Sequence, residues 1–302
     1  MARTFKTPNA FKASVEQRLK AEAKTGRDLG RLRQLLVFDR FIARLIDEFG
    51  DAIVLKGGLA LELRLQRART TKDIDIGASG DPKQMLDRFQ RAGRLDLHDF
   101  MVFEVRRHKY PTILTERAKY EGLRFRVECK IAGKIYGNAF PMDIGIGDPM
   151  LGDPEEVVAP DRLRFAGIAP PRVRVYPIES HLAEKLHAYT MKWPNGNSRD
   201  KDLPDIALIA NETPIRADRL RKAIAKTFAF RDTHPIPDRL PAPPVSWQGP
   251  YAEKALEFEL PWKTLDECHA RAQRFFDPVL GGLPVVTWDP EAWDWSAHAE
   301  SS

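Results

Sequence analysis

The chain is organised around the stretch Leu55–Gly77, which reads LKGGLALELRLQRARTTKDIDIG. Its glycine pair, Gly57 and Gly58, follows a short apolar run and precedes a helical pattern of apolar residues. This order predicts a strand, a tight turn and a helix. Further along, the segment Asp73–Ile76 alternates between acidic and apolar residues, which indicates a second strand.

The alternation places Asp73 and Asp75 on one face of that strand, with Ile74 and Ile76 against the core. Two carboxylates this close repel each other unless a cation lies between them or one takes a proton. A hard cation such as Mg²⁺ would relieve the repulsion. The glycine pair lets backbone approach a ligand, and the helix after it offers free N–H groups to a phosphate. Each feature alone is more often structural, but their order favours metal-assisted phosphoryl or nucleotidyl transfer.

The composition restricts the class of protein. The 302 residues, with 43% hydrophobic and 30% charged residues, are enough for one large or two modest globular domains. A net charge of +5 and a pI near 9.1 favour an anionic partner. The two cysteines are too few for a disulfide framework. We expect a cytoplasmic protein without membrane contact, because the sequence has neither the apolar centre of a signal peptide nor an apolar run of transmembrane length.

The periodicity along the chain predicts a mixed α/β fold with helices at both ends. Residues 106–109 are interpreted as a basic linker, residues 147–177 as loops with one short strand, and Pro235–Pro250 as an irregular, proline-rich segment. The predicted helices are 14–24, 28–49, 59–65, 81–94, 179–191, one from about 202, 251–259 and 264–276, and the strands are 53–55, 73–76, 123–131 and 140–146.

Two of these strands place charges on their polar faces. In Phe140–Ile146 the outward residue is Asp143, where a third carboxylate facing the metal would be expected. In Leu123–Ile131 the polar face carries Arg124, Arg126 and Lys130. That face is either an ordinary solvated surface or the binding surface for a polynucleotide acceptor, which Arg106, Arg107 and Lys109 could extend.

The predicted helix Glu179–Met191 has a lysine inside its apolar stripe. Lys185 lies three residues after Leu182, and lysines are seldom buried unless they are paired. Either its stem packs while its ammonium reaches water, or the ammonium serves a triphosphate or a carboxylate cluster. Asp202 and Asp205, three residues apart at the start of the next helix, share a face and favour an ion pair or an active-site role.

Four segments in this order resemble the AbiEii/MenT family of nucleotidyltransferase toxins, which belong to the polymerase-β-like superfamily. The resemblance covers roughly residues 40–212. Two positions depart from the family pattern: Leu59 stands where Thr or Ser is common, and Pro204 where an aromatic residue is usual. The matching segments are Lys56-Gly57-Gly58-x-Ala60-Leu61, Arg69-x-Thr71-x-Asp73-x-Asp75, Glu184-Lys185-Leu186-x-Ala188 and Arg199-x-Lys201-Asp202-Leu203-x-Asp205.

The resemblance implies a polymerase-β-like nucleotidyltransferase core with a mixed sheet and a helical C-terminal portion. We expect N-terminal helices in 1–50, the core in 51–177 and a portion in 178–302 that completes the active site. The implied substrate is an NTP and the implied cofactor one or two Mg²⁺ ions. The implied partners are an antitoxin and an RNA acceptor, with the tRNA 3′ end as the expected acceptor and a block of translation as the result.

Roles for individual residues follow from the same resemblance. Asp73 and Asp75 would hold the metal, with Asp143 as a third candidate ligand. Lys185 would neutralise developing phosphate charge, and Asp202 or Asp205 would orient it or take part in proton transfer. The nucleotide-binding residues would be Lys56, Gly57, Gly58, Arg69 and Thr71.

Two other functions remain open at the level of sequence. A phosphotransferase of protein-kinase type could use the same metal site to transfer a γ-phosphate to itself or to a protein. A nucleic-acid-binding module without catalysis would keep the basic face but would have no use for the aspartate pair or for Lys185.

Overall fold

The computed structural model describes residues 4–65, 71–113, 122–193, 197 and 199–296. Helices and a mixed sheet alternate through the first 175 residues, and helices dominate afterwards. The helices are α1 Pro8–Glu22, α2 Gly26–Phe49, α3 Gly57–Leu65, α4 Met85–Arg94, α5 Ile178–Thr190, α6 Asp202–Glu212, α7 Ala217–Arg231, α8 Gln248–Glu257 and α9 Leu265–Leu280. The strands are β1 Ile53–Lys56, β2 Ile74–Ala78, β3 Met101–Ile113, β4 Gly122–Ile131, β5 Lys134–Ile135, β6 Phe140–Ile146, β7 Glu155–Val158, β8 Arg172–Val175, β9 Thr287–Asp289 and β10 Asp294–Ser296.

The main sheet has the strand order β3-β4-β6-β2-β1-β8-β7, with β5 paired to β4. Strands β2 and β6 are parallel, as are β1 and β8, while the other neighbours are antiparallel. This sheet confirms the predicted α/β class. None of the described helices has the length and apolar character needed to cross a membrane.

One face of the sheet is apolar and packs against α2 and α4. Ile74 and Ile76 are buried there, as the alternation predicted, together with Met142 and Ile144 of the parallel neighbour. Because side chains alternate between the two faces, burying these residues fixes the neighbouring polar residues on the opposite face.

The helices after residue 177 build a second apolar cluster. Leu61 of α3 belongs to it, so α3 joins the two clusters. The tail contributes Trp288, which is fully buried and donates from its indole nitrogen to the carbonyl of Ala210 at 2.6 Å. Trp295 likewise donates to Phe275 at 3.0 Å, so the tryptophans of the tail close this cluster. The predicted division at residues 50 and 177 stays a prediction.

Several predicted boundaries are wrong. Helix α1 begins at Pro8, because Thr7 caps it by accepting from the amide of Ala10, and Ser14 lies buried inside the helix. The predicted basic linker 106–109 is part of β3, where the charged residues occupy an edge strand paired with β4. A second strand, β7, lies within the predicted loops. Helix α8 begins at Gln248 inside the proline-rich segment, because Pro250 fits a first helical turn.

A buried ion cluster joins α2 to the start of β3. Asp99 accepts hydrogen bonds from Arg40 at 2.7 Å and from two nitrogens of Arg44 at 2.8 and 2.6 Å. Arg44 and Asp99 have no exposed surface. Burial alone would raise the pKa of Asp99, but the hydrogen bonds and charges of Arg44 and Arg40 together outweigh it and lower that pKa. The pair therefore holds α2 against the edge of the sheet.

We expect Asp99→Ala to lower the free energy of unfolding by about 3–5 kcal/mol, because it leaves buried guanidinium groups without their carboxylate. The loss should shrink below about pH 4, since an acid whose pKa is lowered in the folded state contributes stability only while it is ionised. Urea unfolding at pH 7 and at about pH 2 measures both effects. Asp47→Ala, an exposed change on α2, is the matched control. Equal losses in the two variants would contradict a stabilising role for Asp99.

Candidate active site

Four neighbouring strands each carry one charged residue in matching register. Lys56 of β1 pairs with Asp75 of β2. Asp75 also pairs with Asp143 of β6, which in turn pairs with Arg124 of β4. Directly paired residues project to the same face of a sheet. The four side chains therefore form a line across the face opposite α2 and α4, named here the charge row, in which two carboxylates lie between two cations.

The turn after β1 depends on glycine for two reasons. Gly57 has a φ of +64°, in the left-handed region that glycine adopts without strain. A Cβ atom at this position would also overlap the carboxylate of Asp75. The N-terminus of α3 therefore starts directly beside Asp75, as phosphate binding by Gly57 and Gly58 would require, although that role stays a prediction. Leu59 is buried in the apolar core, so its side chain does not face the site.

Asp73 lies just before β2 rather than inside it, and it is half-buried. Thr71 is buried and donates from Oγ1 to Oδ1 of Asp73 at 2.7 Å. Thr71, predicted to bind nucleotide, thus fixes one oxygen of the predicted metal ligand. Arg69, the other nucleotide-binding prediction in this segment, lies outside the described residues.

Asp75 occupies an environment that disfavours its charge. Burial raises its pKa to about 7, and repulsion from Asp73 and Asp143 adds to the shift. An acid whose pKa is raised on folding makes the protein less stable as pH rises, here between about pH 4 and pH 7. A cation bound beside Asp75 would remove that penalty.

The carboxylate set fits a hard divalent cation. Asp73 and Asp75 offer oxygen ligands, and the charge of Asp73 adds to the effect of burial in raising the pKa of Asp75. Among the residues that the structure describes, no group of three acidic, histidine or cysteine side chains is arranged as a metal centre. Asp143, the predicted third ligand, instead accepts from Nε and Nη2 of Arg124, both at 2.6 Å.

Lys56 belongs to a second ion cluster at the other end of the charge row. Its buried ammonium lies 2.6 Å from Asp148 and 2.9 Å from Glu184, over the ring of Tyr176. Arg231, at the end of α7, bonds to the same two carboxylates at 3.1 and 3.3 Å. Burial opposes the charge of Lys56, but Glu184 and Asp148 outweigh burial and raise its pKa. Lys56 therefore stays charged beside Asp75.

The ammonium of Lys185 is buried, so the interpretation in which it reaches water is wrong. The ammonium lies 3.2 Å from Asp202 and 2.7 Å from Asp205. Both aspartates are buried at the start of α6, on the shared face that their spacing predicted. Arg199 also bonds to Asp202, at 2.6 Å, and its charge lowers the pKa of Asp75. Arg199 therefore connects this cluster electrostatically to the charge row.

Ion pairs with acidic residues divide the predicted acceptor surface. Arg124 is paired with Asp143, and Lys130 bonds to Glu104 at 2.5 Å. Arg126 is exposed and pairs in register with Arg106 of β3. Arg106 contacts Glu104 at 2.6 Å. The basic surface is therefore centred on Arg126, with acidic residues among the other cations.

A cavity of about 1220 Å³ lies beside the site. Thr71, Lys72 and Pro141 border it, each close in sequence to a carboxylate of the site, and Lys201 does so next to Asp202. Its other walls come from the ends of α1 and α3, from α2, residues 138–140, α6, α8 and the residues after α8. The residues of the charge row do not border it. This volume exceeds that of most small-molecule pockets, which span roughly 300–1,000 Å³.

Three contributors to the site escaped sequence reasoning. Asp148 and Arg231 lie outside the matching segments, and only the fold brings them to Lys56. His181, one turn before Lys185, is buried, and burial followed by the charge of Lys185 lowers its pKa well below the ordinary value. Its position four residues before Lys185 on the same helix was the available signal, since such residues share a face.

The chain is similar to known proteins in sequence and in fold. The sequence profile of a family described as nucleotidyl transferase AbiEii toxin, type IV toxin–antitoxin system, matches residues 40–299. No curated protein matches the chain by sequence. The fold resembles that of MenT4, a nucleotidyltransferase toxin from Mycobacterium tuberculosis H37Rv, with a TM-score of 0.57 and 16% identity over 93% of this chain and 92% of that one.

Two structures from Helicobacter pylori show a weaker likeness. JHP933 has a TM-score of 0.44 and 15% identity over 82% of this chain and 93% of its own. A protein described as a nucleotidyltransferase has a TM-score of 0.44 and 16% identity, over 86% of this chain and 99% of its own.

We expect Gly57→Ala to lower the free energy of unfolding by at least about 1–3 kcal/mol, the cost of left-handed backbone for a residue with a side chain. Overlap with Asp75 should add to that loss. Gly30→Ala, on α2 with open space around it, is the matched control and should stabilise by about 0.5–1 kcal/mol. Thermal unfolding measures both. A Gly57→Ala variant as stable as the wild type would show that the turn can rearrange.

Proposed function

The chain belongs to the AbiEii family of nucleotidyltransferase toxins, and we propose that it transfers a nucleoside monophosphate from an NTP to an RNA acceptor with the help of Mg²⁺. The family makes it a nucleotidyltransferase of a toxin–antitoxin system, with an NTP as substrate and a cognate antitoxin as partner. The observation that carries the proposal is the charge row beside the N-terminus of α3, together with Arg199, which bonds to Asp202 and whose charge acts on Asp75.

In this proposal Asp73 and Asp75 hold Mg²⁺, which when bound would neutralise phosphate charge and orient the triphosphate. The amides at the N-terminus of α3 would bind phosphate oxygens. A hydroxyl oxygen of the acceptor attacks the α-phosphorus in line, its bond to phosphorus forms as the α–β bridging bond breaks, and pyrophosphate leaves. Lys185 compensates the negative charge that develops, and Asp202 or Asp205 orients its ammonium or takes part in proton transfer.

The acceptor in this proposal is a polynucleotide, and the tRNA 3′ end is the preferred candidate, which would block translation. The net charge of +5 favours such an anionic partner. Arg126 lies two residues from Arg124 on the same face, so its guanidinium extends the site along β4. The cavity bordered by Thr71 and Lys201 offers room for more than a small-molecule acceptor.

Incubation with total tRNA, Mg²⁺ and NTP labelled at either the α- or the γ-phosphate tests the proposal. We expect label from the α-phosphate in RNA, and a loss of about 100-fold or more in each of two variants. Asp75→Asn removes a charged ligand of Mg²⁺, and Lys185→Met removes the ammonium that compensates phosphate charge. Without divalent cation at pH 8, Asp75→Asn should melt no lower than the wild type, since it removes an acid whose pKa is raised.

Asp87→Asn, an exposed change on α4, is the matched control and should keep wild-type activity. Transfer of the γ-label to protein would favour the phosphotransferase instead. Binding of RNA without transfer of either label would favour the non-catalytic module.

Arg126→Glu tests the acceptor surface. We expect weaker tRNA binding and a plot of log affinity against log salt that is flatter by about one unit. With one phosphate contact fewer, binding releases fewer counterions from the RNA. Binding of NTP should be unchanged. Lys83→Glu, an exposed change just before α4, makes the same charge change as a control. Identical salt slopes for both variants would place the acceptor elsewhere on the molecule.

A further inference from the structure

Arg124 bonds to Asp143, the carboxylate that a second metal ion in the charge row would need as a ligand. Its Nε lies 2.6 Å from Oδ1 of Asp143 and its Nη2 lies 2.6 Å from Oδ2. This two-fold contact engages both oxygens of Asp143, in the planar geometry that makes guanidinium–carboxylate pairs strong. A metal ion that used Asp143 as a ligand would have to displace at least one of these bonds.

The guanidinium also lies in the field of the other two carboxylates. The hydrogen bonds from Arg124 to Asp143 raise the pKa of Arg124, and the charges of Asp73 and Asp75 raise it further. An arginine cannot lose its proton under physiological conditions, so this positive charge is permanent. A divalent cation between Asp75 and Asp143 would therefore meet repulsion from Arg124.

The other end of the acidic set is arranged differently. Thr71 orients Asp73 by donating to its Oδ1, and Asp75 lies against the backbone of Gly57, beside the N-terminus of α3. A cation held by Asp73 and Asp75 would thus lie near the predicted phosphate-binding amides. Because Arg124 is paired with Asp143, a divalent ion would meet carboxylates without an intervening guanidinium only between Asp73 and Asp75.

We infer that the site holds a single divalent cation, bound by Asp73 and Asp75, and that Arg124 supplies the second positive charge at the Asp143 end of the charge row. This inference rests on the proposed function, because it takes Asp73 and Asp75 as the metal ligands. The side chain of Arg124 is 37% exposed, so part of it is accessible to a phosphate oxygen.

Titration of the full chain with Mn²⁺, followed by the electron paramagnetic resonance signal of the free ion, counts the sites. Nucleotide is left out because a triphosphate brings its own cation. We expect one Mn²⁺ per wild-type chain and two per Arg124→Met chain, in which Asp143 becomes available. Asp143→Asn should keep one site, with its affinity changed less than about threefold. Arg126→Met, on the same strand and face, is the matched control and should also bind one ion.

Several results would overturn the inference. These are two ions in the wild type, one ion in a folded Arg124→Met, or a loss of at least tenfold in affinity in Asp143→Asn. If circular dichroism shows that Arg124→Met does not fold, Arg124→Lys and Asp143→Asn decide the question. Arg124→Lys keeps the positive charge and should bind one ion. Asp75→Asn separates the two proposals: undiminished Mn²⁺ binding in that variant would reject the metal role of Asp75 in the proposed function itself.

Discussion

The register of four neighbouring strands is the constraint on which the site depends. Ile74 and Ile76 are buried on one face, so Asp75 must project to the other. A slip of one residue in β2 or β6 would bury a carboxylate among α2 and α4 and expose the apolar residues. The free energy of apolar burial therefore fixes the positions of the charged groups. The same alternation of side chains thus produces the apolar core on one face of the sheet and the charged residues on the other.

Helix α5 links this sheet to the C-terminal helices through two adjacent residues with different partners. Glu184 bonds to Lys56 and Arg231, whereas Lys185 bonds to Asp202 and Asp205. Neighbouring residues on a helix point in different directions, so one turn of α5 serves both clusters. The position of α5 is set in turn by apolar packing against α6 and α7. A helix held by its apolar stripe can thus place opposite charges at two points of one site.

Much of this arrangement is readable from the sequence because it follows from local periodicity. The burial of Ile74 and the shared face of Asp202 and Asp205 need only the spacing of residues along one element. The pairing of Arg124 with Asp143 needs the register between β4 and β6, which no local pattern contains. The meeting of Arg231 with Lys56 needs the packing of α7 on α5. Strand β3 was missed because its charged residues lie on an edge strand, where polar side chains on both faces obscure the alternation.

The balance of charge around the site bears on how a nucleotide can enter it. The five cations named above, Lys56, Arg124, Lys185, Arg199 and Arg231, all contact carboxylates. The seven carboxylates are Asp73, Asp75, Asp143, Asp148, Glu184, Asp202 and Asp205, so this set is acidic when all are ionised. A bare triphosphate would add like charge to a site of that sign, in a partly buried environment where repulsion is weakly screened. A triphosphate that arrives with a divalent cation brings the charge that the aspartates need and loses much of its own repulsion. In the proposed function, this excess of carboxylates would therefore favour binding of the metal complex of the nucleotide over the free nucleotide.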